Sequence, residues 1–394
     1  MLQPRLGRGF HCTAHCIISV GQTLIWVTDK RLHKNKNLCN RLRGLHGFSN
    51  KISEITCLFF LFVLASCQSA KKQNAEFAIV SGQRILMDTL VSMDVYVAKE
   101  DSSAVVHRDI EKAFDAMSRI DSLMSSFSAN SEVAAINRRA AIEPVAFSAF
   151  TDSVLQTALW ASEISDGAFD ITVAPILQLW GFGTEKLGVP DEKSIKTLLP
   201  VVDYRLMSRS NSAVRFQKEG MAIDLGGVAK GFAVDVAIET LQAVGYRDVK
   251  VKAGGDMMML ASDLTAGRRY IWIQHPRSTE KFFGKFRLDS GAVSTSGDYE
   301  RFFENDGDRY HHIIDPDTGY PSRKSVSATV LAKDSRTADA LSTAVFVLGP
   351  ERGIALADSL GVDAVILSID RDRILWRATR GFEERLQIID DVTE

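Results

Sequence analysis

The sequence predicts an α+β fold, with mixed sheets and flanking helices gathered in one compact catalytic unit or in two lobes. Three observations carry this. Some stretches alternate apolar and polar residues with the period of a strand, others repeat apolar residues at helical spacing, and one segment reads strand, helix, strand. The chain has 394 residues, 45% of them hydrophobic and 24% charged, which suffices to bury a large core.

Taken in order, "FAIVSGQRILMDTLVSMDVYVAK" (Phe77 to Lys99) alternates as two strands, with Ser81-Gly82 as the turn between them. Val106 to Met124 reads as a helix, because Ile110, Phe114, Met117, Ile120 and Leu123 form one stripe. Ser148 to Ile164 reads as another. "AVRFQKEGMAIDLG" (Ala213 to Gly226) reads as a hairpin turning at Lys218-Glu219-Gly220. Beyond it, Val234, Ala237, Ile238, Leu241 and Val244 recur at helical spacing up to a stop at Gly245. "DVKVKAGGDM" (Asp248 to Met257) then alternates as a strand. Strand, helix, strand implies parallel strands whose carboxyl ends share one sheet edge, where ligands of open α/β sheets bind. That edge would bring Gly226-Gly227 and Gly254-Gly255 together.

The first 66 residues differ from the rest. They carry a net charge of +7, against −9 for residues 67–394. An acidic body excludes nonspecific nucleic-acid binding as an expected role. All five cysteines (Cys12, Cys16, Cys39, Cys57 and Cys67) fall in the first 67 residues, so the body needs no disulfide and suits an oxidising compartment. "ITCLFFLFVLASC" (Ile55 to Cys67) is too short to span a bilayer and follows Lys51, as a signal-peptide core would. "LASC" looks like a bacterial lipobox, with Cys67 the lipidated first residue of the mature chain and 67–76 a polar tether. Residues 1–66 are then a signal segment and 77–394 the catalytic domain. Residues 1–50 are long for a signal n-region and imply a start assigned too far upstream. The spacing of His11, Cys12, His15 and Cys16, with His33 and Cys39 beyond, matches no common zinc finger.

Four constellations hold candidate chemistry. In "IDLGGVAKGFAVD" (Ile223 to Asp235), Gly226-Gly227 lets the backbone approach a ligand, and a helix N-terminus behind it favours an anion. Lys230 opposes the helix dipole, which a nearby phosphate would explain; a tight turn with a solvated lysine is the equal alternative. In "TADALSTAVFVLGP" (Thr337 to Pro350), Thr337 can cap a helix ending before Gly349-Pro350. Asp339 and Thr343 lie four apart on one face, as hard oxygens for Mg²⁺ or as a dipole partner and a packed residue. In "TSGDYERFFENDGDRYHHIIDPDTGYP" (Thr295 to Pro321), Asn305-Asp306-Gly307 turns a hairpin, and one at most of His311 and His312 reaches a site. In "GAFDITVAPILQLWGFG" (Gly167 to Gly183), Phe169, Trp180 and Phe182 read as core, while Gly167, close to an aromatic, and Asp170 could also line a slot for a flat ring.

Together these blocks resemble the ApbE family of Mg²⁺-dependent FAD:protein FMN transferases. "SSFSANSEVAAIN", "GAFDITVAP", "IDLGGVAKGFAVD", "AGGDM", "TSGDYER", "HHIIDPDTG" and "ADALSTA" occur in the family's order between about Leu86 and about Gly353. The resemblance implies an enzyme of the bacterial cell envelope, lipid-anchored and facing the periplasm. It would take FAD as substrate with Mg²⁺, release AMP and attach FMN to a threonine of an acceptor such as a subunit of a sodium-pumping NADH:quinone reductase. By position it assigns the flavin nucleotide to Met87, Phe127, Ala168, Phe169, Asp170, Asp224, Lys230, Gly254, Gly255 and Ile313. It assigns the metal to Asp339, Thr343 and the Gly227 carbonyl, and the proton-transfer role to His312, with Asp339 also required for turnover. Two departures stand out: Met87-Asp88-Thr89 replaces the frequent Met-Gly-Thr, and Phe127 stands where tyrosine is common. An FAD pyrophosphatase and a non-catalytic FAD-binding lipoprotein are the alternatives.

Overall fold

A computed structural model describes residues 16–20, 23–27 and 77–389, apart from 100, 102, 185, 211, 263, 264, 268 and 372. The signal-like run, Cys67, the tether and the histidine and cysteine side chains of the first fifty residues lie outside the described part. In the first unit, residues 1–73, β1 (Cys16–Val20) pairs antiparallel with β2 (Thr23–Val27). Residues 74–394 form the second, as one compact unit rather than two lobes.

The second unit opens with a hairpin, β3 (Phe77–Leu86) and β4 (Thr89–Ala98). Its turn is Met87-Asp88, not Ser81-Gly82: strand alternation runs straight through Gly82, which pairs with Met93. Both turn residues adopt positive φ, 52° and 57°, the geometry that matches strand twist in a two-residue turn. Then come α1 (Ser103–Met124), α2 (Glu132–Arg139), the short β5 (Val145–Ala146) and α3 (Ala149–Ile164). Ser131 and Ser148 cap α2 and α3 through their hydroxyls. After α4 (Ala174–Leu179) and α5 (Glu192–Leu198), a small sheet joins β5 to β6 (Met207–Ser210) and β7 (Ala213–Phe216).

The expected hairpin at Lys218-Gly220 does not form, because Met221–Leu225 is not a strand. The Asn137 side chain takes both backbone groups of Ile223, at 2.7 and 2.9 Å, and the Asp224 N–H donates to the Ile171 carbonyl. With those groups satisfied, no ladder is left to make. The parallel strand–helix–strand unit fails with it. Helix α6 (Ala229–Ala243) leads into β8 (Val249–Ala253), which turns back at Gly254-Gly255 into β9 (Asp256–Leu260).

The remaining strands are β10 (Tyr270–His275), β11 (Ser278–Arg287), β12 (Gly291–Gly297), β13 (Phe302–Asn305), β14 (Asp308–His311), β15 (Ile314–Asp315), β16 (Tyr320–Pro321) and β17 (Ser327–Ala332). Helix α7 (Ser335–Leu360) follows, then β18 (Asp363–Asp370), β19 (Arg373–Ala378), the short α8 (Arg380–Glu383) and β20 (Gln387–Ile388). Asp334 rather than Thr337 caps α7, accepting from the Thr337 N–H at 2.9 Å. The predicted stop at Gly349-Pro350 is a kink: Gly349 is non-helical with φ of 85°, and the helix resumes beyond it.

An eight-stranded antiparallel sheet in the order β19-β18-β17-β12-β9-β8-β4-β3 organises the unit. Helices α1, α6 and α7 lie side by side along one face. The β10-β11-β20 sheet covers part of the other, burying Phe283 and Phe286 against Val293, Leu331, Val365 and Leu367. Ala328, Val330, Ala364 and Ile366 point the opposite way, onto α7. Burial on both faces accounts for the unbroken apolar stretch Ala364 to Leu367 within β18.

Candidate active site

A cleft of about 640 Å³ lies in this unit, bordered by the Met87 turn, the N-termini of α6 and α7, and the β12 strand. Its wall includes Met87, Phe127, Ala168, Phe169, Asp170, Asp224, Gly227, Lys230, Gly254, Gly255, His312, Ile313, Asp339 and Thr343. All fourteen residues named from the body of the sequence therefore meet in one place. The two glycine pairs meet there too, although their strands are not parallel. Gly254-Gly255 is the β8–β9 turn, and Gly226-Gly227 is the loop before α6.

The Asp224 loop is built locally. Its Oδ1 accepts from the Gly226 N–H at 2.8 Å, and its Oδ2 from the Ser126 hydroxyl at 3.2 Å. Gly227 lies so close to Phe169 that a Cβ there would sit 3.0 Å from its ring, and 3.4 Å from Thr343 Oγ1. Asp170, on the cleft wall, accepts from the Thr172 N–H and hydroxyl and from the Tyr204 N–H. At the Met87 turn, Asp121 Oδ2 accepts the Met87 N–H at 3.1 Å, holding the strained pair that contains Asp88. Phe127 remains 60% exposed at the cleft, open to a ring stacked on it.

The polar end is a charge cluster. Lys230 Nζ lies 3.1 Å from Asp256 and 3.6 Å from Asp339, and donates to the Gly226 carbonyl at 2.9 Å. These carboxylates account for the lysine that opposes its helix dipole; no phosphate is needed to explain it. Asp339 also accepts the Gly231 N–H at 2.9 Å. Burial and the neighbouring Asp256 charge push Asp339 up to about 7, against the pull of Lys230. Burial acts to lower Lys230, but the two carboxylates raise it above its ordinary value. Asp256 and Asp339 are 2% and 3% exposed, so one lysine faces two buried carboxylates. That surplus of negative charge fits a hard cation beside them. Among the described residues no cluster of three or more His, Cys, Asp or Glu side chains could hold a metal. A cation here would rest on a mixed set of carboxylate, hydroxyl and carbonyl oxygens.

His312, in the bend just after β14, reaches the cleft, while His311, the last residue of that strand, turns into the core. Burial, together with the charges of Arg301 and His311, holds His312 well below its ordinary value, so it is neutral at pH 7 rather than poised near 6.5. Its Nδ1 lies 3.2 Å from the Arg301 carbonyl and must donate to it, which leaves Nε2 as a bare acceptor. Four charged groups on this wall escaped the sequence reading: Asp121, Asp256, Glu300 and Arg301. Asp256 stood just after Gly254-Gly255, where a carboxylate opening the apolar strand "DMMML" was the available signal.

Fold and cleft together define a class: an α+β enzyme whose site has an aromatic end and an end of buried carboxylates, hydroxyls and a lysine. The ApbE family profile matches residues 87–366, and the chain belongs to that family. It is 34% identical over 328 residues to the FAD:protein FMN transferase of Treponema pallidum (strain Nichols), covering 79% of this chain and 89% of that protein. It is 32% identical over 336 residues to the FAD:protein FMN transferase of Vibrio cholerae serotype O1, covering 84% and 97%. Among solved structures it resembles the ApbE protein of Thermotoga maritima (TM-score 0.70, 32% identity, 79% of this chain and 99% of that one). It also resembles the flavin transferase ApbE of Vibrio cholerae (TM-score 0.70, 28% identity, 79% and 99%).

Proposed function

We propose that this chain is an FAD:protein FMN transferase that uses Mg²⁺, releases AMP and esterifies FMN to a threonine of an acceptor protein. The observation that carries the reading is convergence: seven sequence blocks, far apart in the chain, contribute to one cleft with an aromatic end and a cation-seeking end. The names of its relatives support the same activity.

In this reading Phe127, Met87 and Phe169 border the isoalloxazine, and the glycine loops let the backbone come close to the diphosphate. Asp339, Thr343 and the Gly227 carbonyl would hold Mg²⁺, which when bound supplies Lewis-acid neutralisation of phosphate oxygens. Lys230 offsets the charge of Asp256 and Asp339. His312 Nε2 takes the proton of the acceptor threonine hydroxyl, whose oxygen bonds the FMN phosphorus as the P–O bond to AMP breaks. General-base help of this kind supplies about 10²–10⁴-fold, so the carboxylate cluster should matter more than the histidine.

Purified protein, FAD, Mg²⁺ and a candidate acceptor subunit of an electron-transport complex test this by intact-mass analysis. An FMN adduct on an acceptor threonine, with AMP in solution, is expected. Asp339→Ala should abolish it and His312→Ala should leave a reduced rate. FMN and AMP appearing with an unlabelled acceptor would make the protein a pyrophosphatase, and intact FAD would make it a carrier. Lipidation at Cys67, anchoring the enzyme on the periplasmic side of the envelope, is the matching proposal for location; Cys67→Ser should release it from the membrane fraction.

A further inference from the structure

Four hydroxyls and one carboxylate form a chain along the floor of the cleft. Ser294 Oγ lies 2.6 Å from Asp256 Oδ1 and 3.1 Å from Ser342 Oγ. Ser342 Oγ lies 2.8 Å from Ser296 Oγ, which lies 3.2 Å from Thr343 Oγ1. Ser294 and Ser342 are buried, at 1% and 0% exposure, so neither bonds bulk water instead. Each hydroxyl has one hydrogen to give.

The direction of every bond then follows from the carboxylate end. Asp256, ion-paired to Lys230, can only accept, so the Ser294 hydrogen goes to it. Ser294 has none left for Ser342. The Ser342 hydrogen is claimed by Ser294 Oγ and by the Asp339 carbonyl, 2.9 Å away, and is spent on that side whichever takes it. Its bond to the Asp339 carbonyl is one it can only donate, so no hydrogen is left for Ser296. Ser296 must therefore donate to Ser342, and Thr343 must donate to Ser296. Thr343 Oγ1 is left with lone pairs and no hydrogen for its remaining neighbours.

We propose that Asp256, Ser294, Ser342 and Ser296 are positioning residues that fix the Thr343 hydroxyl as an oxygen donor toward a divalent cation in the cleft. The inference rests on the cation site proposed above for Asp339 and Thr343. A hydroxyl free to rotate would present its hydrogen to the cation in part of the population and bind it more weakly. Groups that orient a metal ligand in this way typically cost 10–100-fold in affinity when removed.

Mn²⁺ binding to the purified full chain, followed by the loss of the free-ion electron paramagnetic resonance signal, tests this without turnover. Ser296→Ala and Ser342→Ala should each weaken Mn²⁺ by about 10-fold. The double variant should be no weaker than either, because one break frees Thr343 completely. Ser296→Thr keeps the hydroxyl and should bind like the wild type, which loss of packing would not explain. Asp339→Ala reports on the site itself. If it binds Mn²⁺ normally, the cation lies elsewhere and the reading beneath the relay fails. If Asp339→Ala loses Mn²⁺ while both serine variants bind as tightly as wild type, or their losses add, the relay is wrong and the site stands.

Discussion

His311 and His312 are adjacent in the chain and opposite in surroundings. His311 is buried, donates from Nε2 to the Ser322 carbonyl at 2.8 Å and accepts the Ile313 N–H on Nδ1 at 3.3 Å. Both ring nitrogens are used by the neutral form, so a second proton would displace the Ile313 bond. Burial lowers its pKa, with Arg277 and Arg309 adding to that and Asp298 and the Ser322 bond opposing. A depressed folded-state value means stability that is present above the unfolded value of about 6.5 and is lost as pH falls below it. His311 should therefore contribute a decline in urea midpoint from pH 7 to pH 5, against the opposite trend of the buried Asp339 and Asp235, raised to about 7 and about 6. His311→Gln, which can keep both bonds but cannot charge, should flatten part of that decline; an unchanged slope would remove His311 as a cause. His312 titrates with the same sign, so the flattening is partial. At this scale the sequence was a good guide where spacing sets direction: four-residue spacing joined Asp339 to Thr343, and of the two adjacent histidines only one reaches the cleft, as expected, although the strand ends at His311 and a bend, not alternation, carries His312 there. It was silent on Glu300, Arg301 and Asp256, whose place depends on strands that meet only in three dimensions.

Among the elements, the crossing of α6 and α7 decides where the polar end of the cleft sits. Asp235 of α6 accepts the N–H groups of Ser335 and Arg336, at 2.6 and 3.2 Å, and pairs with the Arg336 guanidinium at 2.8 Å. Gly231, one turn earlier, gives its N–H to Asp339. A Cβ at Gly231 would overlap the Ser335 carbonyl and lie 2.8 Å from Arg336 Cα, so backbone would have to move. Overpacking of this kind costs about 1–3 kcal/mol, and alanine's better helix propensity returns about 1 kcal/mol. Gly231→Ala should therefore lose up to about 2 kcal/mol in denaturant unfolding. It should also lower FMN transfer, because Asp339 shifts with α7. An unaltered midpoint would show that the crossing can relax. The helices themselves were legible from periodicity and caps, since those signals are local. The sheet order was not. Reading Met221–Leu225 as a strand forced a parallel unit, and nothing near that segment shows that Asn137, 86 residues earlier, takes the place of a strand partner.

At the scale of the molecule, the cleft is assembled from the first hairpin, the loop after α1, the starts of α6 and α7 and the β12–β15 region. The first hairpin, the β8–β9 turn and β12 belong to one continuous antiparallel sheet on which α6 and α7 pack, so the site cannot form while half of the unit is unfolded. A ligand that binds only the assembled cleft adds RT ln(1 + [L]/Kd) to the stability of the whole, about 2.7 kcal/mol at one hundred times Kd. FAD titrated into a metal-free denaturant series, where turnover does not consume it, should thus shift a single transition without splitting it. Two steps of which only one moves would mean that the borders of the cleft fold separately. No shift at all would mean that the flavin nucleotide does not use this cleft. Phe127→Ala should reduce the shift by weakening the stacking end, and Asp339→Ala should leave most of it, because in the function proposed above the carboxylate would serve the cation rather than the ring. On the function proposed above, aromatic residues would give affinity without metal and the oxygen cluster what a metal adds, so that one fold binds the dinucleotide first and breaks it afterwards.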